Sequence, residues 1–356
     1  MTKRFIIFFA VVLVGLAAFL IGRLSSQSRL VSDDRGQLAL VNNSLISRFN
    51  RTEEKYATPK GPVKISQDDA YSPKLAPNGR EIYYYVPQTG QIRSAPVVSA
   101  NDPAGTGSAL IAEIKSGLKE ITWSADGKEI IAKDDASHIY HNLPTKSSKR
   151  LNQNALNPVF SKNADQIAYL YYDPATGEGA ISLADPQIET FKNILNTRST
   201  DWQIDWVGPK TLSLATDNSL FDLNIETGAL TKILENKNNL DVVWSPNGQR
   251  LIFSSTDAES GESGLFVWDT ADQTEANLDI RAQASKCVWS VNSTNIYCFA
   301  GSSLVTAEVD QTELEPKIIF TDPGFVRAET LILSGTEDYL IFRDSQTKKL
   351  YRLNLN

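Results

Sequence analysis

Trp244-Ser245-Pro246-Asn247-Gly248-Gln249-Arg250-Leu251-Ile252-Phe253 is the stretch on which the fold turns. The apolar pair Val242-Val243 runs into a large aromatic residue. A Ser-Pro-Asn-Gly group interrupts it, and a second apolar run starts at Leu251. Proline and Asn-Gly reverse a chain, and short apolar runs on either side of such a group read as two strands of a β-hairpin.

The pattern recurs along the chain. Trp123-Ser124-Ala125-Asp126-Gly127 precedes Lys128-Glu129-Ile130-Ile131-Ala132, and Trp289-Ser290-Val291-Asn292 leads to Asn295-Ile296-Tyr297-Cys298. Weaker copies begin at Leu75 (Ala76-Pro77-Asn78-Gly79), Phe160 (Ser161-Lys162-Asn163-Ala164), Trp206 (Val207-Gly208-Pro209) and Leu333 (Ser334-Gly335-Thr336). The seven anchors are spaced by 48, 37, 46, 38, 45 and 44 residues, which is the period of about 40–45 residues of a propeller blade. A third short strand follows in most copies, at Ile139-Tyr140, Leu220-Phe221, Leu265-Phe266-Val267-Trp268 and Leu350-Tyr351. A fourth precedes the next anchor, and four strands make one blade.

These residues resemble the TolB-like and WD40-like propeller repeats, whose core reads W-S-P-D-G-x-x-I-x-F. The resemblance covers residues 62–356; it is tightest from Trp244 to Phe253 and loosest in the fourth and seventh copies. It implies an all-β propeller, and it is specific for fold rather than for activity. The propeller domain of dipeptidyl-peptidase IV-type enzymes is similar too. TolB proteins carry a separate N-terminal α/β domain that nothing here resembles, so the Tol–Pal role is not carried over.

Seven anchors predict seven blades, with a six-bladed ring containing one aberrant repeat as the alternative. The last repeat supplies three strands, near 328–333, 339–343 and 349–353. Its missing outer strand is expected from Pro62-Val63-Lys64-Ile65-Ser66, just before the first anchor. Such a closure removes exposed sheet edges.

The first 60 residues differ. Residues 5–22 carry no charge and follow Lys3 and Arg4. At about 1.5 Å per residue the run nearly spans a hydrocarbon core of roughly 30 Å. A cleaved signal peptide has a shorter apolar region and a small-x-small exit, whereas Arg23-Leu24-Ser25-Ser26 follows here. No Cys follows for a lipid anchor. Residues 1–24 are therefore read as a signal-anchor transmembrane segment, the short N-terminus cytoplasmic and the remainder outside, with signal cleavage as the alternative. Residues 25–60 are a connector, in which Leu38, Val41, Leu45 and Phe49 fall on one helical face, with a flexible stalk as the alternative. Residues 61–356 are the propeller.

Composition narrows the chemistry. The chain has 356 residues, 35 basic and 42 acidic, and a formal charge of -7. No basic run interleaved with aromatics follows residue 60, so nucleic acid is not an expected partner. With two histidines in all, a metal site built on several is out of reach. His138 and His141 read as H-x-x-H, but on a strand their rings point to opposite faces, so no metal and no cofactor is expected. No G-x-S-x-G nucleophile elbow exists, since Gly261-Glu262-Ser263-Gly264 has the wrong spacing. No catalytic residue is assigned.

Five acidic residues stand out. Asp135, Asp173, Asp217, Asp257 and Asp344 follow their anchors by 12, 13, 11, 13 and 11 residues, which places them in the loops between second and third strands, on one face. Asp134, Glu259 and Glu262 add to it. Such a ring attracts cationic groups or a divalent ion. The plainer reading is that aspartate is a good turn residue. The anchor tryptophans Trp123, Trp206, Trp244 and Trp289 are expected as wedges between blades, while Trp202 and Trp268, off that register, are candidates for surface contacts.

The two cysteines bracket one hairpin. If Ser290 faces Asn295 across the turn, Cys287 faces Cys298, close enough for a disulfide. An outside location favours oxidation, and two small buried residues are the alternative. The functional expectation is a membrane-tethered binding or scaffolding module of the cell envelope, whose partner is a protein, peptide or glycan. The rival is a propeller enzyme or lectin acting on a sugar or small metabolite, with or without a divalent ion.

Overall fold

A computed structural model of the protein describes residues 61–97, 107–310 and 315–355. The apolar run 5–22 and the helical face at 38–49 lie outside the described residues. Strand β1 (Val63–Lys64) comes first in the chain but belongs to the last blade. Blade 1 consists of β2 (Tyr71–Leu75), β3 (Glu81–Val86), β4 (Gln91–Pro96) and β5 (Ala109–Glu113). Blade 2 is β6 (Lys119–Trp123), β7 (Glu129–Lys133), β8 (His138–Asn142) and β9 (Ser147–Arg150). Blade 3 is β10 (Ala155–Phe160), β11 (Ile167–Asp173), β12 (Glu178–Ala184) and β13 (Phe191–Thr197). Blade 4 is β14 (Gln203–Gly208), β15 (Thr211–Ala215), β16 (Leu220–Asn224) and β17 (Leu230–Leu234). Blade 5 is β18 (Asp241–Trp244), β19 (Arg250–Thr256), β20 (Ser263–Asp269) and β21 (Thr274–Asn277). Blade 6 is β22 (Cys287–Trp289), β23 (Asn295–Ala300), β24 (Ser303–Glu308) and β25 (Lys317–Thr321). In blade 7, β26 (Ala328–Leu333), β27 (Tyr339–Asp344) and β28 (Leu350–Asn354) are completed by β1, which pairs Val63 with Arg352 and Lys64 with Tyr351. All seven sheets are antiparallel and four-stranded, as the anchor spacing predicts.

The apolar residues sort into seven buried clusters, one for each boundary between neighbouring blades. Ile130 packs toward blade 1 with Tyr85, Ile92 and Ala132. Its neighbour Ile131 packs toward blade 3 with Phe160, Ile167 and Tyr169. Alternating side chains of one strand thus enter two different cores, which is why second strands read as unbroken apolar runs. The cluster of Ile65, Ile82 and Tyr84 with Ile341 and Leu350 joins the last blade to the first. That seventh boundary closes the ring and removes the six-bladed alternative.

The anchor motif works locally and between blades. Each anchor serine is buried and bonds across its own turn. Ser245 Oγ accepts the Arg250 N–H at 3.0 Å and donates to Asn247 at 2.8 Å. Ser124, Ser161 and Ser290 accept from Glu129, Gln166 and Asn295 in the same way. Gly248 takes φ +71°, and a Cβ there would meet the Val207 carbonyl of the preceding blade at 2.9 Å, so only glycine fits. The anchor indoles reach back one blade: Trp123 Nε1–H donates to the Ser72 carbonyl at 2.8 Å, Trp244 to Ser213 Oγ at 2.9 Å, and Trp289 to the Val243 carbonyl at 3.1 Å.

Trp202 departs from the sequence expectation. It is buried, donates from Nε1 to Thr197 Oγ1 at 2.9 Å and meets the Phe221 ring edge-on at 5.7 Å. It is a core residue of the boundary between blades 3 and 4, not a surface contact. Trp268 is half-buried against the boundary between blades 4 and 5. In blade 6 the predicted register holds: Cys287 pairs with Cys298, their Cα atoms are 4.1 Å apart, and the sulfurs are joined as a disulfide.

Candidate functional site

In an antiparallel four-stranded blade, the turn from second to third strand and the connection leaving the fourth lie at the same end. One face of the ring is therefore built from these two sets of segments, and all five predicted aspartates sit in the first set. Their individual settings differ. Asp135 is exposed and pairs with Lys119 at 3.0 Å. Asp217 is exposed, and its backbone carbonyl accepts the Leu240 N–H at 2.8 Å. Asp173 Oδ1 accepts the Ala175 N–H at 2.9 Å.

Asp257 and Asp344 are tied more tightly. Asp257 Oδ1 accepts the Ser260 N–H at 2.7 Å, the Ser260 hydroxyl at 2.9 Å and the Glu259 N–H at 3.1 Å. These donors hold its carboxyl below the usual range. Asp344 is buried. Burial opposes its ionisation, but the Thr347 N–H, Arg327 at 3.0 Å and the Gln346 N–H outweigh that and keep it low. Beside Asp135, the nearly buried Asp134 is gripped by Arg150 at 2.6 Å and Lys115 at 2.8 Å, with the Ser137 and Ala136 N–H groups adding to them, and its carboxyl is strongly depressed. Asp134, Asp173, Asp257 and Asp344 thus serve their own turns.

Three of the five also line cavities on this face, and the cavities are separate. Asp257 borders a cleft of 460 Å³ in blade 5. Asp173 borders one of 570 Å³ in blade 3, with Tyr171, Asn196 and Arg198. Asp344 borders a pocket of 230 Å³ walled by Phe325, Phe342 and Tyr351. At least three recesses on this face are thus each bordered by one of the predicted aspartates. The blade 5 cleft draws on three successive segments: residues 236–238 from the incoming connection, residues 255–266 from the loop and its strands, and residues 277–281 from the outgoing connection. Lys237 pairs with Glu275 at 2.8 Å and lies 4.9 Å from the Phe253 ring centre. Arg281 pairs with Glu262 at 2.7 Å.

Sequence reasoning did not single out Lys237, Arg281 or Phe266. The first lies in Glu235-Asn236-Lys237-Asn238-Asn239, a run of five polar residues between two blades. Such a run, outside the repeat pattern, is the signal that marks this wall of the cleft. The two histidines behave as alternation predicts. His138 Nδ1 donates to the Ala155 carbonyl of blade 3 at 3.0 Å, and His141 Nδ1 lies 2.7 Å from Ser148 Oγ within blade 2. Among the described residues no three His, Cys, Asp or Glu side chains are grouped as metal ligands.

No family model matches the chain, and no curated protein matches it. Solved structures do. An oligogalacturonate lyase in complex with manganese superposes with a TM-score of 0.60 at 10% identity, over 84% of this chain and 92% of the other. The β-propeller domain of Cps50 (Swd1) from Myceliophteria thermophila gives 0.57 at 10% identity, over 84% and 100%. TolB from Acinetobacter baumannii gives 0.47 at 12% identity, over 77% and 63%. At these identities the first two share the propeller fold with this chain, and the likeness extends no further.

Proposed function

We propose that the chain is a membrane-tethered propeller outside the cytoplasm that acts as a binding or scaffolding module of the cell envelope. The observation that carries the binding role is the 460 Å³ cleft of blade 5, whose walls come from three successive segments of one loop face. Its lining combines the Phe266 ring, the amides of Asn236 and Asn277, and charged pairs that already neutralise one another. Polar and charged groups set around one aromatic ring suit a protein, peptide or glycan partner. The uncharged run at residues 5–22 supports the tether. The rival, a propeller enzyme or lectin acting on a sugar, draws on the fold likeness to the lyase and on no particular residue of this chain.

Ala258 lies exposed at the rim of the cleft, so Ala258→Trp fills it with little effect on the core. Cross-linking in membranes with the full-length chain should capture a set of partners that Ala258→Trp loses and Thr145→Trp, on the opposite face, retains. Capture unchanged by Ala258→Trp would remove the cleft from the reading. Full-length protein should remain in membranes after carbonate washing. A soluble form beginning near residues 20–30 would show instead that the segment is a cleaved signal.

A further inference from the structure

The chain has two histidines, and both lie on one buried strand, β8, at positions 138 and 141. Each is 4% exposed. Three positions apart on a strand, their rings enter opposite faces of blade 2. His138 lies on the face of Tyr140, which packs with Phe160, Ile167 and Tyr169 of blade 3. His141 lies on the face of Ile139, which packs with Tyr85, Ile92 and Ala112 of blade 1. A single strand thus places one imidazole in each of the two boundaries of its blade.

The boundary with blade 1 holds no acceptor for a protonated His141. Nε2 of His141 is fully enclosed with no hydrogen-bond partner. A proton added to that ring creates a donor with nothing to receive it, or a cation in an apolar boundary. The groups facing His141 are Ile130 across β7, Ser148 on β9, and Tyr71 and Tyr85 of blade 1. The Tyr85 hydroxyl is occupied by the Lys115 carbonyl and the Leu118 N–H. The charged groups of blade 1's strands are engaged elsewhere: Glu81 bonds Asn78 and Ser94, Arg93 bonds Ser108 and pairs with Asp68, Glu113 bonds Gln91, and Lys74 lies near Asp126 of the blade 2 turn. His138 faces Lys133 across β7, Glu120 of β6 beyond it, and Tyr169 and Tyr171 of blade 3. Glu120 is paired with Lys133 at 3.1 Å. On β9, Arg150 is held by Asp134.

From this arrangement we infer that blade 2 is an acid-responsive segment of the ring: protonation of His138 and His141 loosens its contacts with blades 1 and 3 together. Burial pushes both imidazoles below their ordinary value. The sign follows from linkage. The unfolded chain takes up these protons at about pH 6.5 and the folded chain only at lower pH, so stability falls as pH drops below about 6.5. A neutral imidazole fits each boundary, and the transition lies where histidine operates as a switch.

The histidine count makes the test simple. Tag-free full-length protein labelled with 13C-histidine should give two imidazole signals, both titrating below pH 6.5 in the folded state. The melting temperature should fall by several degrees between pH 7.5 and 5.5. In His138→Gln/His141→Gln that fall should be smaller, since carboxyl contributions, that of Asp222 included, are common to both proteins and cancel in the difference. Imidazoles that titrate at or above pH 6.5 would overturn the inference, and so would an undiminished fall in the double variant. The titration of the natural protein stands by itself if the double variant does not fold.

Discussion

Asp222 shows how a single side chain can work against the fold at neutral pH. It lies on β16 with Ser213 opposite on one side and Thr231 on the other, and its Oδ1 is enclosed without a partner. Burial pushes its carboxyl up to about 6. A raised folded-state value stabilises the protein below the unfolded value of about 4, and that contribution is lost as pH rises through about 6. Asp222→Asn is isosteric and uncharged. After discounting for partial solvent screening, it should raise stability by about 1 kcal/mol at pH 7.5 and change little at pH 4. Urea denaturation at both pH values checks this, and an equal effect at the two would refute the assignment. Nothing in the sequence flags Asp222, because an aspartate three residues into a strand pattern reads as an exposed position. The anchor serines illustrate the converse. Their recurrence was legible from Trp123-Ser124 and Trp244-Ser245, but their bonds across the turn, as from Ser245 to the Arg250 N–H, depend on backbone geometry that a motif does not reveal.

Strands were the most legible elements. The third strands of blades 2, 4, 5 and 7 and the three strands of the last repeat lie where the periodicity placed them, because both faces of each blade are buried and the apolar runs are strong. The bulges were not legible. Ser72, Glu120, Asn157 and Thr330 take positive φ on the innermost strands of blades 1, 2, 3 and 7, where the register shifts. Such a bend re-aims the strand without a distinctive residue, and the released Ser72 carbonyl is the one that receives the Trp123 indole. Trp202 was misplaced because repeat register says nothing about the connection between blades, which here folds inward. The blade 6 hairpin yields a prediction at this scale. With the Cys287 and Cys298 Cα atoms 4.1 Å apart, thiol counting on denatured, non-reduced protein should find no free thiol. Reduction should lower stability by about 2 kcal/mol. Two free thiols in material from an oxidising compartment would show that the pair is reduced.

Taken whole, the ring depends on residues far apart in the chain. Ile65 N–H donates to the Leu350 carbonyl at 2.8 Å, and Leu350 N–H to Ser66 Oγ at 2.8 Å. Lys349 pairs with Asp69 at 2.8 Å, and the guanidinium groups of Arg343 and Arg352 donate to the Ala70 and Val97 carbonyls. Deleting residues 62–66 should therefore do more than remove one short strand. It uncovers the outer edge of β28, and exposed edges pair with other chains. Light scattering should show association of the deletion variant alongside a lower melting temperature, and a monomeric variant that melts like the natural protein would argue against the seam. The number of blades was readable from anchor spacing. The loop-face cavities were not, since they form from connections that follow no repeat.

The closing strand β1 has two residues, whereas the other outer strands have four to seven. It is also the strand that continues directly into the N-terminal 60 residues. A force applied from the N-terminal side reaches β1 before any blade core and is borne there by the few bonds to β28. Under a pulling force the propeller should behave as a clasp, parting first at the seam while the other six blades stay folded.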